Sequence, residues 1–172
     1  MTLENYTEMK VFRLVLDPET HAPIVILQDE KTGWLMPIWI GLFEAQSIAM
    51  RMEGIEPARP MTHDLFFNFL EMSHTMLERV EVSDLVDNTY FARIFFFLNE
   101  KEHAIDSRPS DAIALALRST TPIFVANHVL EKSKIDPAQM EKDDAAEPPA
   151  GKEKWERVLQ RMNQEPGKTK LN

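Results

Sequence analysis

The stretch from Glu102 to Ala126 constrains this chain more than any other. It reads as strand, polar turn, helix and strand. Ile105 closes an extended run, and Asp106, Ser107 and Arg108 form a polar junction. Pro109 suits the first helical position, where its missing N–H has no intrahelical partner to lose. Asp111 follows in the first turn, where a carboxylate is favoured by the positive end of the helix dipole. Ile113, Ala116 and Leu117 then recur at helical spacing, with Ala112 and Leu115 widening the apolar face. Three charged side chains, Asp106, Arg108 and Asp111, thus crowd one helix start beside an apolar wall.

The rest of the chain supplies partners for that unit. Residues 8–17, Pro23–Leu27 and Trp34–Ile40 read as strands, separated by Asp17-Pro18 and the charged turn Asp29–Gly33. Leu42–Glu53 reads as a helix with Ala45, Ile48, Ala49 and Met52 on one face, stopped by Gly54 at the position after its C-terminus. After a proline-rich connection, Thr62 is the expected N-cap of a second helix running to about Ser73, with Leu65, Phe66, Phe69, Leu70 and Met72 turned inward. Met76–Val86 and Thr89–Leu98 form a hairpin across Asp87-Asn88, and the phenylalanine-rich second arm is expected to be buried on both faces. Asn127–Lys132 closes the globular part as a short helix carrying Val129 and Leu130.

A shift of 67 positions superposes Glu44 on Asp111, Ala45 on Ala112, Ala49 on Ala116 and Arg51 on Arg118. Each half then runs strand-strand-strand-helix. The expected class is α/β (α+β), with pseudo-duplicated units, a mostly antiparallel twisted sheet and helices packed on it. The expected organisation is a domain over 1–135, a linker over 136–150 rich in Pro, Ala and charge, and a short amphipathic helix and tail over 151–172. In that helix Trp155, Val158, Leu159 and Met162 share a face, which needs its own domain, another subunit or a partner to dock on.

Composition narrows the function classes. The chain has 172 residues and no cysteine, which excludes disulfides, thiolate metal sites and cysteine nucleophiles. No apolar run is long enough to span a membrane and the N-terminus does not read as a signal peptide, so a soluble cytoplasmic protein is expected, with no membrane partner. The net charge is -9, and nearly all of it resides in the globular part: residues 1–135 hold 12 basic and 20 acidic side chains. That balance opposes tight non-specific nucleic-acid binding, which depends on neutralising phosphates, but leaves room for a local basic contact.

No phosphate-binding glycine loop, His-Glu-x-x-His or Gly-x-Ser-x-Gly is present, so candidate chemistry rests on clusters. Asp106, Asp111 and Glu44 are candidate metal ligands or general bases, and Arg108 is a candidate phosphate ligand through its planar fork. The same residues also serve a structural arrangement, with Asp111 as a helix-start acid and Arg108 paired with Asp106 to fix the turn. Arg118 reads as a late-helix cation. In Arg59-Pro60-Met61-Thr62-His63-Asp64, His63 is a candidate acid or base near neutral pH, beside Asp64 or Arg59. If the two helix starts converge, Glu44 and Asp111 share one site, and two carboxylates with a bound divalent ion are suited to phosphodiester hydrolysis. His74 and His103 read as surface residues, and Trp34 and Trp39 as core or interface anchors.

Three motifs carry a family resemblance. They are Met36-Pro37-Ile38-Trp39-Ile40-Gly41 with Glu44-Ala45, then Arg59 to Leu65, then Ile105 to Arg118, closing with Pro122-Ile123-Phe124-Val125. Over about residues 9–133 the chain resembles the bifunctional nuclease domain of bacteria and plants. The resemblance implies a compact α/β fold, a homo-oligomer and nuclease activity on RNA and DNA. On that reading Asp106, Arg108, Asp111 and His63 are catalytic, and Arg59, Arg118 and Ser107 contact the nucleic acid. Glu44 and Asp111 would hold a divalent metal, Mg or Mn. The alternative is a non-catalytic oligomeric binding or regulatory domain in which the polar motifs are structural. One open cleft holding these residues favours the enzyme, whereas mutual salt bridges or separate faces favour the binding domain.

Overall fold

The computed structural model describes residues 3–140. The remainder of the expected linker and the expected helix near Trp155 lie outside the described residues. Seven strands form one sheet: β1 (Tyr6–Leu16), β2 (Pro23–Gln28), β3 (Leu35–Trp39), β4 (Met76–Val86), β5 (Thr89–Leu98), β6 (Lys101–Ser107) and β7 (Ile123–Ala126). The helices are α1 (Leu42–Met52), α2 (Thr62–Met72), α3 (Pro109–Ser119), α4 (Asn127–Ser133) and α5 (Pro137–Met140). The spatial order is β3-β2-β1-β7-β4-β5-β6. Two antiparallel meanders therefore stand side by side, each followed by an 11-residue helix. β7 joins them, antiparallel to β1 and parallel to β4. The 67-residue shift of the sequence carries Leu42–Met52 onto Pro109–Ser119, the bounds of α1 and α3.

Local chemistry explains the turns. Asp87 and Asn88 both have positive φ, as do Asn99 and Glu100, which is the two-residue hairpin geometry that matches strand twist. Gly54, at φ +65, ends α1 in the left-handed conformation that glycine adopts without a Cβ penalty. The N-cap of α2 is Met61 rather than Thr62, because the Asp64 carboxylate reaches back to accept the Met61 N–H at 2.8 Å.

The principal core lies between one face of the sheet and the helices. Met9, Leu14, Val25, Leu27, Met36, Ile38, Val80, Val82, Ile94 and Val125 meet Ala45, Ile48, Ala49, Ile113, Leu115 and Val129 there. A second, smaller cluster on the other face gathers Val15, Ile24, Ile26 and Leu35, with Ile135 packed against it. Leu35 and Ile135 also exchange backbone hydrogen bonds, so the last residue of the expected 1–135 domain is held against β3. Two expectations fail, the first because the long helices among the described residues lie on one face of the sheet. β5 is not buried on both faces, since Phe91 and Phe97 are exposed. Nor does α2 turn its apolar residues inward. Only Leu70 is buried, while Leu65, Phe69 (62 % exposed) and Met72 (82 %) form a stripe facing solvent. Trp39 is exposed as well.

Candidate functional site at the three-helix junction

Each of the three long helices begins with an acid at its third residue: Glu44 in α1, Asp64 in α2 and Asp111 in α3. The starts of α1 and α3 converge, as the sequence echo suggested. Arg108, the residue before α3, bridges them. Its Nη1 lies 2.8 Å from Glu44 Oε1, while Nε and Nη2 donate to the two oxygens of Asp111 at 2.7 and 3.0 Å. At the equivalent position before α1 stands Gly41, and the Glu44 carboxylate folds over it where any side chain would collide.

α2 is tied to this pair through His63. Its Nε2 lies 3.0 Å from Asp111 Oδ1 and its Nδ1 lies 2.9 Å from Ser47 Oγ. Ser47 also accepts from Arg118 Nη2 at 3.0 Å, and Arg118 Nε donates to Asp64 at 2.6 Å. Arg118 Nη1 donates to the carbonyl of Ala114, which satisfies the rest of the guanidinium. The result is a continuous polar path, Glu44–Arg108–Asp111–His63–Ser47–Arg118–Asp64, linking α1, α2 and α3. Its two ends differ in access. Arg108 is 65 % exposed, whereas the Arg118 side chain is 6 % exposed.

The electrostatics follow from this packing. Burial works to raise Asp111, but hydrogen bonds from Arg108 and His63 outweigh it and hold the carboxyl below the ordinary aspartate range. Asp64 behaves alike: burial is overcome by the Met61 N–H and the Arg118 guanidinium. Both acids are therefore ionised at neutral pH.

The geometry keeps several of the expected residues apart. Asp106 is not part of the cluster and does not pair with Arg108. It sits on β6 opposite Arg93, whose guanidinium lies over Phe95, so it projects from the sheet face away from the helices. Strand alternation puts Asp106 and the α3 start on opposite sides. Arg118 is largely buried within the junction, where it pairs with Asp64, and is not merely a dipole-complementing cation. Ser107 Oγ is buried and has no hydrogen-bond partner among the described residues. Arg59 is exposed in the α1–α2 connection, apart from the path, with no ion-pair partner among the described residues. The expected metal pair, Glu44 and Asp111, does converge, but Arg108 already bridges and neutralises both. Among the described residues no group of three His, Asp or Glu side chains gathers around one point. A divalent ion held by the two carboxylates would have to displace the Arg108 guanidinium to reach them.

Sequence reasoning missed Ser47 and the Asp64–Arg118 pair. A signal existed for the first: Ser47 is a hydroxyl set among Ala45, Ile48 and Ala49, and it is 1 % exposed. The pair joins residues 54 apart in the chain, and no local pattern announces it.

An open seven-stranded sheet with paired meanders and an acid–arginine–histidine junction defines the class of domain. The bifunctional nuclease domain model matches residues 25–138, and the chain belongs to that family. Uncharacterized protein Rv1829 of Mycobacterium tuberculosis is 35 % identical over 126 residues, covering 73 % of this chain and 75 % of that one. Bifunctional nuclease 2 of Arabidopsis thaliana is 28 % identical over 63 % of this chain, and Bifunctional nuclease 1 of Oryza sativa subsp. japonica 26 % over 70 %. The chain spans 34 % and 37 % of those plant proteins. No helix among the described residues is long and apolar enough to cross a membrane.

Proposed function

We propose that this chain is a nuclease acting on RNA, DNA or both, with the rim of the three-helix junction as its phosphodiester site. One observation carries the reading: Arg108, the exposed cation of the path, lies directly on the Asp111–His63 pair in a member of the nuclease family. A guanidinium fork matches two phosphate oxygens and can exchange its carboxylate contacts for them. Asp111 accepts three of the roughly four hydrogen bonds an ionised carboxylate can take. The remaining lone pair on Oδ2 can take a water. That water attacks phosphorus while its proton passes to Asp111, and the bond to the leaving oxygen breaks with protonation from solvent. His63 holds Asp111 in place and stabilises its charge. No step is routed through a metal.

The acidic surface fits short or single-stranded substrates held locally, since the formal charge is -9 and Arg108 is one of few cations at the site. The α2 stripe of Leu65, Phe69 and Met72 supports a homo-oligomer, because contiguous apolar surface on a folded domain marks an interface. The cysteine-free composition is consistent with a cytoplasmic setting.

The alternative, a non-catalytic binding domain, is favoured by a specific fact: both nitrogens of His63 are engaged within the junction. A nuclease assay on highly purified wild type, Arg108→Ala, Asp111→Asn and Asp106→Asn, with and without chelator, separates the two. The nuclease reading expects loss of activity in the first two variants and retention in Asp106→Asn. Activity unchanged in all three points to a contaminant and defeats it. Loss of wild-type activity on chelation would show that a cation displaces Arg108 from Glu44 and Asp111.

A further inference from the structure

We propose that Ser47, held by Arg118, is a positioning residue that fixes the proton and ring orientation of His63; this rests on the nuclease reading, in which His63 supports Asp111. Asp111 is ionised and can only accept, so Nε2 of His63, 3.0 Å away, carries the ring proton. In the neutral ring Nδ1 is then the acceptor, and Ser47 Oγ at 2.9 Å supplies the hydrogen. At the other end a guanidinium has donors and no acceptor. Arg118 Nη2, 3.0 Å from Ser47 Oγ, must therefore donate to that oxygen, which leaves the serine proton for Nδ1. Arg118 itself is pinned by Asp64 and by the carbonyl of Ala114. With a neutral ring, every hydrogen bond from Arg118 to Asp111 thus has one permitted direction.

Ring geometry adds a second constraint. Turning the imidazole over would set C–H groups against Ser47 and Asp111 and lose the hydrogen bond to each. Ser47 is 1 % exposed, so it cannot meet a substrate or serve as a nucleophile; its hydroxyl acts only through His63. The internal echo agrees. The position equivalent to Ser47 in α3 is Ala114, and only the α1 copy has a histidine from α2 to hold. The hydroxyl is a departure from the repeat located where the junction needs a donor.

The test uses the full chain labelled with nitrogen-15 in histidine. At neutral pH the wild type should show His63 with Nε2 protonated and Nδ1 unprotonated; a proton on Nδ1 overturns the proposal without any variant. Ser47→Ala should expose the Nε2–H to rapid solvent exchange. It should lower kcat on the order of ten- to a hundredfold with little change in KM, as for a displaced supporting group. Ser47→Thr, which keeps the hydroxyl, should restore both. A Ser47→Ala protein with unchanged kcat and an unchanged Nε2–H signal refutes the role. If the wild type shows the expected proton pattern, and Ser47→Ala loses it, but neither protein cleaves nucleic acid, the nuclease reading falls while the positioning of His63 stands.

Discussion

Replacing Arg118 with methionine removes the cation at the inner end of the junction while keeping most of its aliphatic volume. The variant loses the 2.6 Å contact with Asp64, the hydrogen bond to Ala114 O at 2.8 Å and that to Ser47 Oγ at 3.0 Å. Removing one partner of a buried pair costs about 3–5 kcal/mol, chiefly because the other charge is left without compensation. Asp64 keeps its bond from the Met61 N–H and its side chain is 25 % exposed, so some hydration returns. That places the expected loss at about 3 kcal/mol, or roughly 6–12 °C in Tm for a chain of this size. Urea denaturation should show a lower midpoint at an unchanged slope. A double-mutant cycle with Asp64→Asn should return a coupling of about 1–3 kcal/mol, since each single change leaves the same partner stranded. A loss under about 1 kcal/mol, or a coupling near zero, would show that α2 is not held by this pair.

Three other outcomes follow from the same structure. Asp64 and Asp111 both sit below their ordinary value of 3.8, so the unfolded chain binds protons first as pH falls. The stability they contribute is complete above that value and is lost as pH drops through their lower folded values, which urea midpoints taken across the acid range will trace. Phe69→Glu, on the exposed stripe, should abolish self-association in analytical ultracentrifugation with less than about 0.5 kcal/mol change in monomer stability. Gly54→Ala should cost about 1 kcal/mol in urea denaturation, because the residue has φ +65 while nothing lies within 4 Å of the added methyl.

What the sequence showed depended on the range of the interaction. The strands, the hairpin turns and the start of α3 were readable because alternation, paired Asp-Asn and a first-turn proline act over a few residues. The duplication was readable because the two helices repeat chemistry at one offset, and the convergence of Glu44 and Asp111 followed from it. Burial of α2 was misread because Leu65, Phe66, Phe69 and Met72 have the periodicity of a core helix, and periodicity does not say whether the facing surface belongs to the same chain. Asp106 was misassigned because it adjoins Arg108 in sequence, whereas a strand sends alternate residues to opposite faces. Ser47 and the burial of Arg118 depend on how α2 settles across α1 and α3, which is a tertiary fact.

The central place of β7 has a consequence for how the chain matures. Tyr6–Met9 must wait for Ile123–Ala126, more than a hundred residues later, before the first meander gains its inner neighbour. Until then the nascent chain holds a three-stranded ribbon with an open inner edge, and the later meander cannot join it. Closing so long a loop makes this step slow relative to hairpin formation. Ribosome-bound chains halted before residue 123 should therefore be protease-sensitive, and release of that one short strand should convert two loose ribbons into a single cooperative sheet.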